Sequence, residues 1–123
     1  MTKAAWVFPG QGAQSVGMGR DLYDSLASAR AIFEQADEAL GFALSRLCFE
    51  GPEEELTQTI NAQPALVTAS FACLEATREI AGKSLPEASY LAGHSLGEYT
   101  ALAVAGVFDF TTAVRLALSL IHI

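Results

Sequence analysis

One short segment, GHSLG at residues 93–97, constrains the fold of this 123-residue chain more than any other. An apolar run at 88–93 leads into it, and an almost wholly apolar run at 96–107 leads out of it. These runs predict a buried strand and a buried helix joined by a tight turn that contains the serine. In such a turn the residues two before and two after the serine crowd each other, so both must be small. Gly93 and Gly97 occupy those two positions.

A strand, a Gly-x-Ser-x-Gly turn and a helix form the pattern of a nucleophile elbow, with Ser95 at the N-terminal end of the helix. Unpaired N–H groups and the helix dipole favour negative charge there, so the backbone N–H of Leu96 is a candidate donor to an oxyanion. His94 and Glu98 are expected to support the turn, because the members of a catalytic triad meet in space and not in sequence. The alternative is that Ser95 only caps a helix within a glycine turn.

A second strand is predicted at residues 3–8, which form a short apolar run that ends at Pro9 and Gly10. Helices are expected at 20–40 (one or two), at 43–51, from Pro52 onward, at 62–82 with Asn61 as its cap, and at 109–118 with Asp109 as its cap. Two strands separated by helices imply parallel pairing and an α/β architecture. Because a parallel sheet normally has more than two strands, we expect the chain to be incomplete.

The glycine-rich loop at 10–19 matches neither of two common phosphate-binding patterns, and it is a candidate source of an oxyanion donor. It fails as a dinucleotide fingerprint because Ser15 stands at the third glycine position, and it fails as a phosphate loop because Met18 replaces the lysine. Elbow enzymes draw their second oxyanion donor from a loop after an earlier strand. The backbone N–H of Gln11 is the candidate, and an ordinary Gly-Gln turn is the alternative.

Composition excludes several other classes of function. The net charge is −7 and the seven basic residues are scattered, so no basic stripe for nucleic acid is present. The longest apolar stretch, 101–120, is interrupted by Asp109 and Arg115, which argues against a membrane span, and no targeting segment is visible. Cys48 and Cys73 lack metal-ligand spacing and are interpreted as reduced core thiols of a cytoplasmic protein.

Three motifs in order give the chain a specific resemblance: FPGQGAQ at 8–14, QPAL at 63–66 and GHSLGEY at 93–99. Together they resemble malonyl-CoA:acyl-carrier-protein transacylases and the acyltransferase domains of polyketide and fatty-acid synthases. The resemblance runs from about residue 4 to about residue 117. It implies an α/β-hydrolase-like acyltransferase core with a parallel sheet and a nucleophile elbow, of which residues 1–117 are the N-terminal part of the large subdomain.

The resemblance also implies a reaction. Ser95 takes the malonyl group from malonyl-CoA as an acyl-serine ester, with Gln11 and Leu96 as the backbone oxyanion donors. The phosphopantetheine thiol of acyl carrier protein then accepts the malonyl group, as a step of fatty-acid biosynthesis. Covalent catalysis of this kind divides one exchange into two steps. The resemblance implies no metal and no redox cofactor, and the expected partners are malonyl-CoA and acyl carrier protein.

Two family features are missing. The general base of the family is a histidine that would lie beyond residue 123, and Leu120 stands where the family has the arginine that holds the malonyl carboxylate. The last six residues, LSLIHI at 118–123, lose the family pattern and match the translation of a common transposase sequencing adapter, so we hypothesise a non-native tail in which His122 has no function. This chain alone is therefore expected to be inactive. It is also expected to be poorly soluble, because the apolar helix at 96–107 should pack on elements that the chain does not encode and would leave an exposed patch. An elbow-type esterase or thioesterase and a non-catalytic fragment remain alternatives.

Overall fold

The structure is a computed structural model in which residues 3–119 are described. The predicted tail at 118–123 is described only as far as Ser119, so Leu120 and His122 lie outside the described residues. The elements, in chain order, are strand β1 (Ala4–Phe8), helices α1 (Arg20–Ser25), α2 (Ala27–Leu40), α3 (Leu44–Glu50), α4 (Glu53–Thr57) and α5 (Thr59–Ala81), a 3₁₀ turn (Gly82–Ser84), strand β2 (Ala88–Gly93), and helices α6 (Gly97–Val104) and α7 (Phe110–Ser119).

The two strands pair in parallel, as predicted. Trp6 lies opposite Leu91, and Phe8 lies opposite Gly93 at the carboxyl ends of both strands. Five helices stand between β1 and β2, which is the long crossover that parallel pairing requires. The sequence prediction of an α/β chain with a parallel sheet is confirmed. This pairing also brings the loop after β1 and the turn after β2 to one edge of the sheet.

The prediction that both strands are buried is wrong. In β1 only Phe8 is buried, while Val7 is 70% exposed; in β2 Tyr90 is 62% exposed. Strand residues alternate between two faces. Within residues 3–119, β1 packs against β2 and α6, and an open cleft of about 530 Å³ separates it from α5. A strongly apolar strand sequence indicates that both faces of the strand can be buried. Within residues 3–119 only part of each strand is covered by other elements.

The core lies among the helices instead. Helices α2, α5 and α7 pack against one another around fully buried side chains such as Phe33, Val67 and Val114. A cluster of Tyr23, Phe33 and Phe49 has ring centroids 4.9–6.0 Å apart, in the edge-on and tilted arrangements that aromatic pairs prefer. Helix α5 is buried along its N-terminal half and lies at the centre of the helical core, in contact with α2, α4 and α7.

Helix boundaries confirm most of the sequence reading. Residues 20–40 form two helices, Gly82 ends α5, and Asp109 caps α7 by accepting a hydrogen bond from Thr112 N at 2.8 Å. The prediction that Asn61 caps the long helix is wrong, because α5 begins two residues earlier, at Thr59. Asn61 instead donates from Nδ2 to the carbonyl of Glu55 at 2.8 Å, which ties α5 to the end of α4.

The predictions that the helix at 96–107 is buried and that both cysteines lie in the core are each only partly correct. Helix α6 is buried at Thr100, Ala101 and Ala103, but Leu102 is 42% exposed and Val107, just after the helix, is 64% exposed. The helix is almost wholly apolar after its first turn, whereas within residues 3–119 only one side of it is buried.

Of the two cysteines, both free thiols, Cys48 is a core residue as predicted and Cys73 is exposed. Burial, together with the carboxylate of Asp37, raises the pKa of Cys48 to about 12. None of the helices in residues 3–119 combines the length and apolar character that crossing a bilayer requires.

Candidate active site

Ser95 has a backbone conformation unlike that of any other non-glycine residue in the described part of the chain. Its φ is +55°, in the left-handed region, where a side chain costs about 1–3 kcal/mol. It sits between the end of β2 at Gly93 and the start of α6 at Gly97, and its side chain is exposed. The tight strand-to-helix turn predicted from the sequence is therefore present, and strain is concentrated on the serine itself.

The two glycines of the turn touch, as the spacing predicts. A Cβ added at Gly93 would collide with the backbone carbonyl of Gly97 and with the backbone N of Glu98. A Cβ added at Gly97 would collide with the carbonyl oxygen of Phe8 and would lie 2.8 Å from its carbonyl carbon. Each collision is with backbone, which cannot rotate away as the end of a side chain can. Neither position has room for any residue except glycine.

The turn is also bonded to the neighbouring strand. His94 N donates to the carbonyl of Phe8 at 3.1 Å, which extends the β1–β2 ladder by one step beyond Gly93. Gly97 N donates to the carbonyl of His94 at 3.0 Å and closes the turn. The side chains of His94 and Glu98 are both exposed. The backbone of His94, rather than its imidazole, is what the structure shows holding Ser95 in place.

Backbone donors are available next to Ser95. Leu96 is 4% exposed and precedes α6, where the first N–H groups of the helix have no intrahelical acceptor. The N–H of Leu96 donates no backbone hydrogen bond within residues 3–119. The positive end of the α6 dipole lies at the same place, so negative charge that develops beside Ser95 would be stabilised there.

The glycine loop lies against the same turn. Gly10 is buried, and a Cβ on it would collide with the carbonyl oxygen of His94 and lie 3.4 Å from His94 Nδ1. Gln11 follows directly, and its backbone N–H also donates to no backbone acceptor in the described part of the chain. The structure thus brings Gln11 to the edge of the sheet that carries Ser95 and Leu96.

Two contacts of this loop were missed by the sequence reasoning. Gln11 Nε2 donates to Thr59 Oγ1 at 3.1 Å, and Gln14 Oε1 accepts from Gly12 N at 2.8 Å. The first contact joins residues 48 positions apart, so no local pattern could have predicted it. The second joins residues only two positions apart, so it is a local contact within the loop.

An open cleft of about 460 Å³ adjoins the turn. It lies between the end of β2 and α6, and its walls are apolar apart from Glu98 at one side; the lining residues are Leu91, Ala92, Gly93, Glu98, Ala101, Leu102 and Ala105. This cleft explains why Leu102 is exposed. Ser95 itself does not line the cleft, although Gly93 of the same turn does.

A protein family described as "Acyl transferase domain" matches residues 5–120 of this chain. The malonyl CoA-acyl carrier protein transacylase of Bacillus subtilis (strain 168) is 52% identical over 114 residues, which make up 93% of this chain and 35% of the relative. The protein of the same name from Escherichia coli (strain K12) is 49% identical over 116 residues, or 94% of this chain and 37% of the relative. The chain therefore spans about a third of the length of these relatives.

Solved structures give the same result. An acyl-carrier-protein-S-malonyltransferase from Bartonella henselae matches with a TM-score of 0.88 and 44% identity, over 95% of this chain and 37% of that protein. A malonyl-transacylase in complex with a type II PKS acyl-carrier protein matches with a TM-score of 0.87 and 45% identity, over 95% and 37%. The fold and the family that the motifs predicted are both confirmed. The chain belongs to the acyl transferase domain family.

Proposed function

We propose that this chain supplies the nucleophile and oxyanion-binding part of an enzyme that transfers malonyl groups from malonyl-CoA to acyl carrier protein. The observation that carries the proposal is the strained Ser95, held at a positive φ between a parallel strand and a helix N-terminus. This arrangement is a nucleophile elbow, and Ser95 is its nucleophile. Gly93 and Gly97 allow the turn to close, and His94 and Glu98 support it.

The reaction proceeds in two steps on Ser95. The Ser95 Oγ attacks the thioester carbonyl of malonyl-CoA and loses its proton to a base, and the N–H groups of Gln11 and Leu96 donate to the oxyanion that forms. Collapse breaks the carbon–sulfur bond, and the CoA thiolate leaves and takes up a proton. The phosphopantetheine thiol of the carrier protein then attacks the malonyl-serine ester, and Ser95 Oγ leaves and regains its proton.

The substrates and partners follow from the relatives. The Bacillus subtilis and Escherichia coli relatives are both named malonyl CoA-acyl carrier protein transacylase, and one similar structure contains an acyl-carrier protein. We therefore assign malonyl-CoA and acyl carrier protein as partners, within fatty-acid biosynthesis. Exchange between two thioesters involves no change of oxidation state, and no metal or redox cofactor is required. Free thiols at both cysteines fit a cytoplasmic location.

The base is proposed to lie in the two thirds of the relatives that this chain does not match. The chain has only two histidines, of which His94 is held beside Ser95 in the turn and His122 lies outside the described residues. A serine without a base is a weak nucleophile. The 123-residue chain alone is therefore expected to show no transacylation above background.

A chimera tests the proposal. In the Bacillus subtilis relative, the matching 114-residue part is replaced by its counterpart from this chain, and the product is incubated with labelled malonyl-CoA. We expect one label per chain, complete loss of the label in the Ser95→Ala variant, and onward transfer to acyl carrier protein.

Three results would contradict the proposal. A folded chimera that takes up no label would exclude Ser95 as the nucleophile in this setting. Label that persists in Ser95→Ala would place the ester elsewhere. Release of the label to water at the same rate with and without carrier protein would indicate a thioesterase instead.

A further inference from the structure

The second oxyanion donor is carried by a loop, and a loop must be held still before its N–H can stabilise charge. Preorganised donors are effective because they need no rearrangement when the charge develops. Gln11 is exposed and belongs to neither strand nor helix. Its backbone must therefore be held in place by contacts with neighbouring residues.

The peptide groups on both sides of Gln11 are constrained. On one side Gly10 is buried against the backbone of His94, so the peptide that carries the Gln11 N–H starts from a fixed point. On the other side Gly12 N is bonded to Gln14 Oε1 at 2.8 Å, and Ala13 N donates back to the carbonyl of Gly10 at 3.3 Å. These contacts keep the loop folded on itself, but only the first ties it to the rest of the protein.

The side chain of Gln11 provides a second tie. Its Nε2 donates to Thr59 Oγ1 at 3.1 Å. Thr59 is the first residue of α5, and that helix is fully buried at Pro64 and Ala65, less than two turns further on. The hydroxyl of Thr59 is therefore mounted on the end of a helix that is anchored in the core, and the hydrogen bond connects Gln11 to that helix.

We propose that Thr59 is a positioning residue for acyl transfer: its hydroxyl, by accepting from the Gln11 side chain, fixes the backbone N–H of Gln11 at the edge of the sheet where Ser95 lies. Thr59 itself touches no reacting atom. This inference rests on the proposed function, because it assigns a purpose to the Gln11 N–H that the acyl-transfer reaction alone provides.

The test uses the chimera described above, with four variants. Thr59→Val removes the hydroxyl at constant shape, and Thr59→Ser restores it. Thr57→Val, at an exposed threonine two residues earlier, is the matched control. Gln11→Met removes the side-chain donor and leaves the backbone N–H in place.

Loss of one exposed hydrogen bond is expected to lower kcat for Ser95 acylation by about fivefold in Thr59→Val, with KM unchanged. Thr59→Ser should recover most of the rate, and Thr57→Val should match the unmodified chimera. In the Gln11→Met background Thr59→Val should have no further effect, because the two side chains act through one contact.

A Thr59→Val rate equal to that of the chimera would overturn the inference, as would an equal loss in Thr57→Val or additive losses in the double variant. An inactive chimera would instead count against the proposed function. In that event amide hydrogen exchange of the 123-residue chain decides the inference. Faster exchange at Gly12 and Ala13 in Thr59→Val, but not in Thr57→Val, would support it, and unchanged exchange would refute it.

Discussion

The crowding at Gly93 can be tested as a measurement of stability. In Gly93→Ala the new Cβ would overlap the carbonyl of Gly97 and the backbone N of Glu98. Relief requires that the end of β2 move away from the start of α6, because backbone atoms have no rotamer to change. Gly93 has no positive φ, so the cost of the substitution comes from the overlap and not from backbone conformation.

The magnitude follows from two opposing contributions. Overpacking typically costs about 1–3 kcal/mol, and overlap with several backbone atoms places Gly93→Ala at the upper end of that range. Replacing glycine also restricts the unfolded chain, which stabilises by about 0.4–1 kcal/mol. The free energy of unfolding should therefore fall by about 2–2.6 kcal/mol.

Gly106→Ala is the matched control for this substitution. Gly106 follows α6, its φ is +89°, and no atom lies within 4 Å of a Cβ placed on it. Only left-handed strain of about 1–2 kcal/mol opposes the same gain from the unfolded chain, so a net loss of about 0–1.6 kcal/mol is expected.

Urea unfolding can be followed by the fluorescence of Trp6, the single tryptophan, which lies in β1 opposite Leu91. A Gly93→Ala variant that is no less stable than Gly106→Ala would refute the destabilising overlap. Full acylation by a destabilised Gly93→Ala chimera would also refute it, since the same overlap should displace Ser95.

Two further predictions concern the thiols and the cap of α7. At pH 8 a thiol reagent should modify Cys73 in the folded chain and Cys48 only after unfolding, because burial and Asp37 raise the pKa of Cys48 to about 12; the count of reacted thiols should fall to zero in folded Cys73→Ser. Hydrogen bonds from Thr112 lower the pKa of Asp109 below its ordinary 3.8, so the cap stabilises the folded chain above pH 3.8 and that contribution is lost as the pH falls through the folded-state pKa. Urea midpoints of Asp109→Ala should lie below those of the unmodified chain at pH 7 and converge with them in acid, and a constant difference at all pH values would refute the assignment.

Local signals in the sequence were sufficient for the parts of the fold that depend on neighbouring residues. Glycine at 93 and 97 predicted the turn, Asp109 predicted a helix start, and Gly82 predicted a helix end. Each of these depends on sterics or hydrogen bonds within a few residues. The start of α5 was misplaced because Asn61 is a favourable cap by residue type, whereas its Nδ2 is bonded to the carbonyl of Glu55 in α4 and the helix begins at Thr59 without a side-chain cap.

Burial was harder to predict, since it depends on what covers a surface. The apolar sequences of β1, β2 and α6 indicate elements that can be covered on all sides, yet Val7, Tyr90 and Leu102 are exposed. The contact of Gln11 with Thr59 was equally out of reach, because it joins residues 48 apart through a loop whose path is set by the sheet. Residue type reports the capacity for burial or bonding, and tertiary structure decides whether that capacity is used.

The register of the two strands determines the geometry of the candidate site. Phe8 faces Gly93 in the ladder, its carbonyl accepts from His94 N, and the same carbonyl leaves no room for a side chain at Gly97. A slip of one residue would turn the strand over, break the bond to His94 and carry Gly10 away from the turn. Ser95 could then keep its local conformation only without the loop that brings Gln11 to it. Pairing of β1 with β2 therefore selects the register in which the loop that carries Gln11 lies against the turn that carries Ser95 and Leu96.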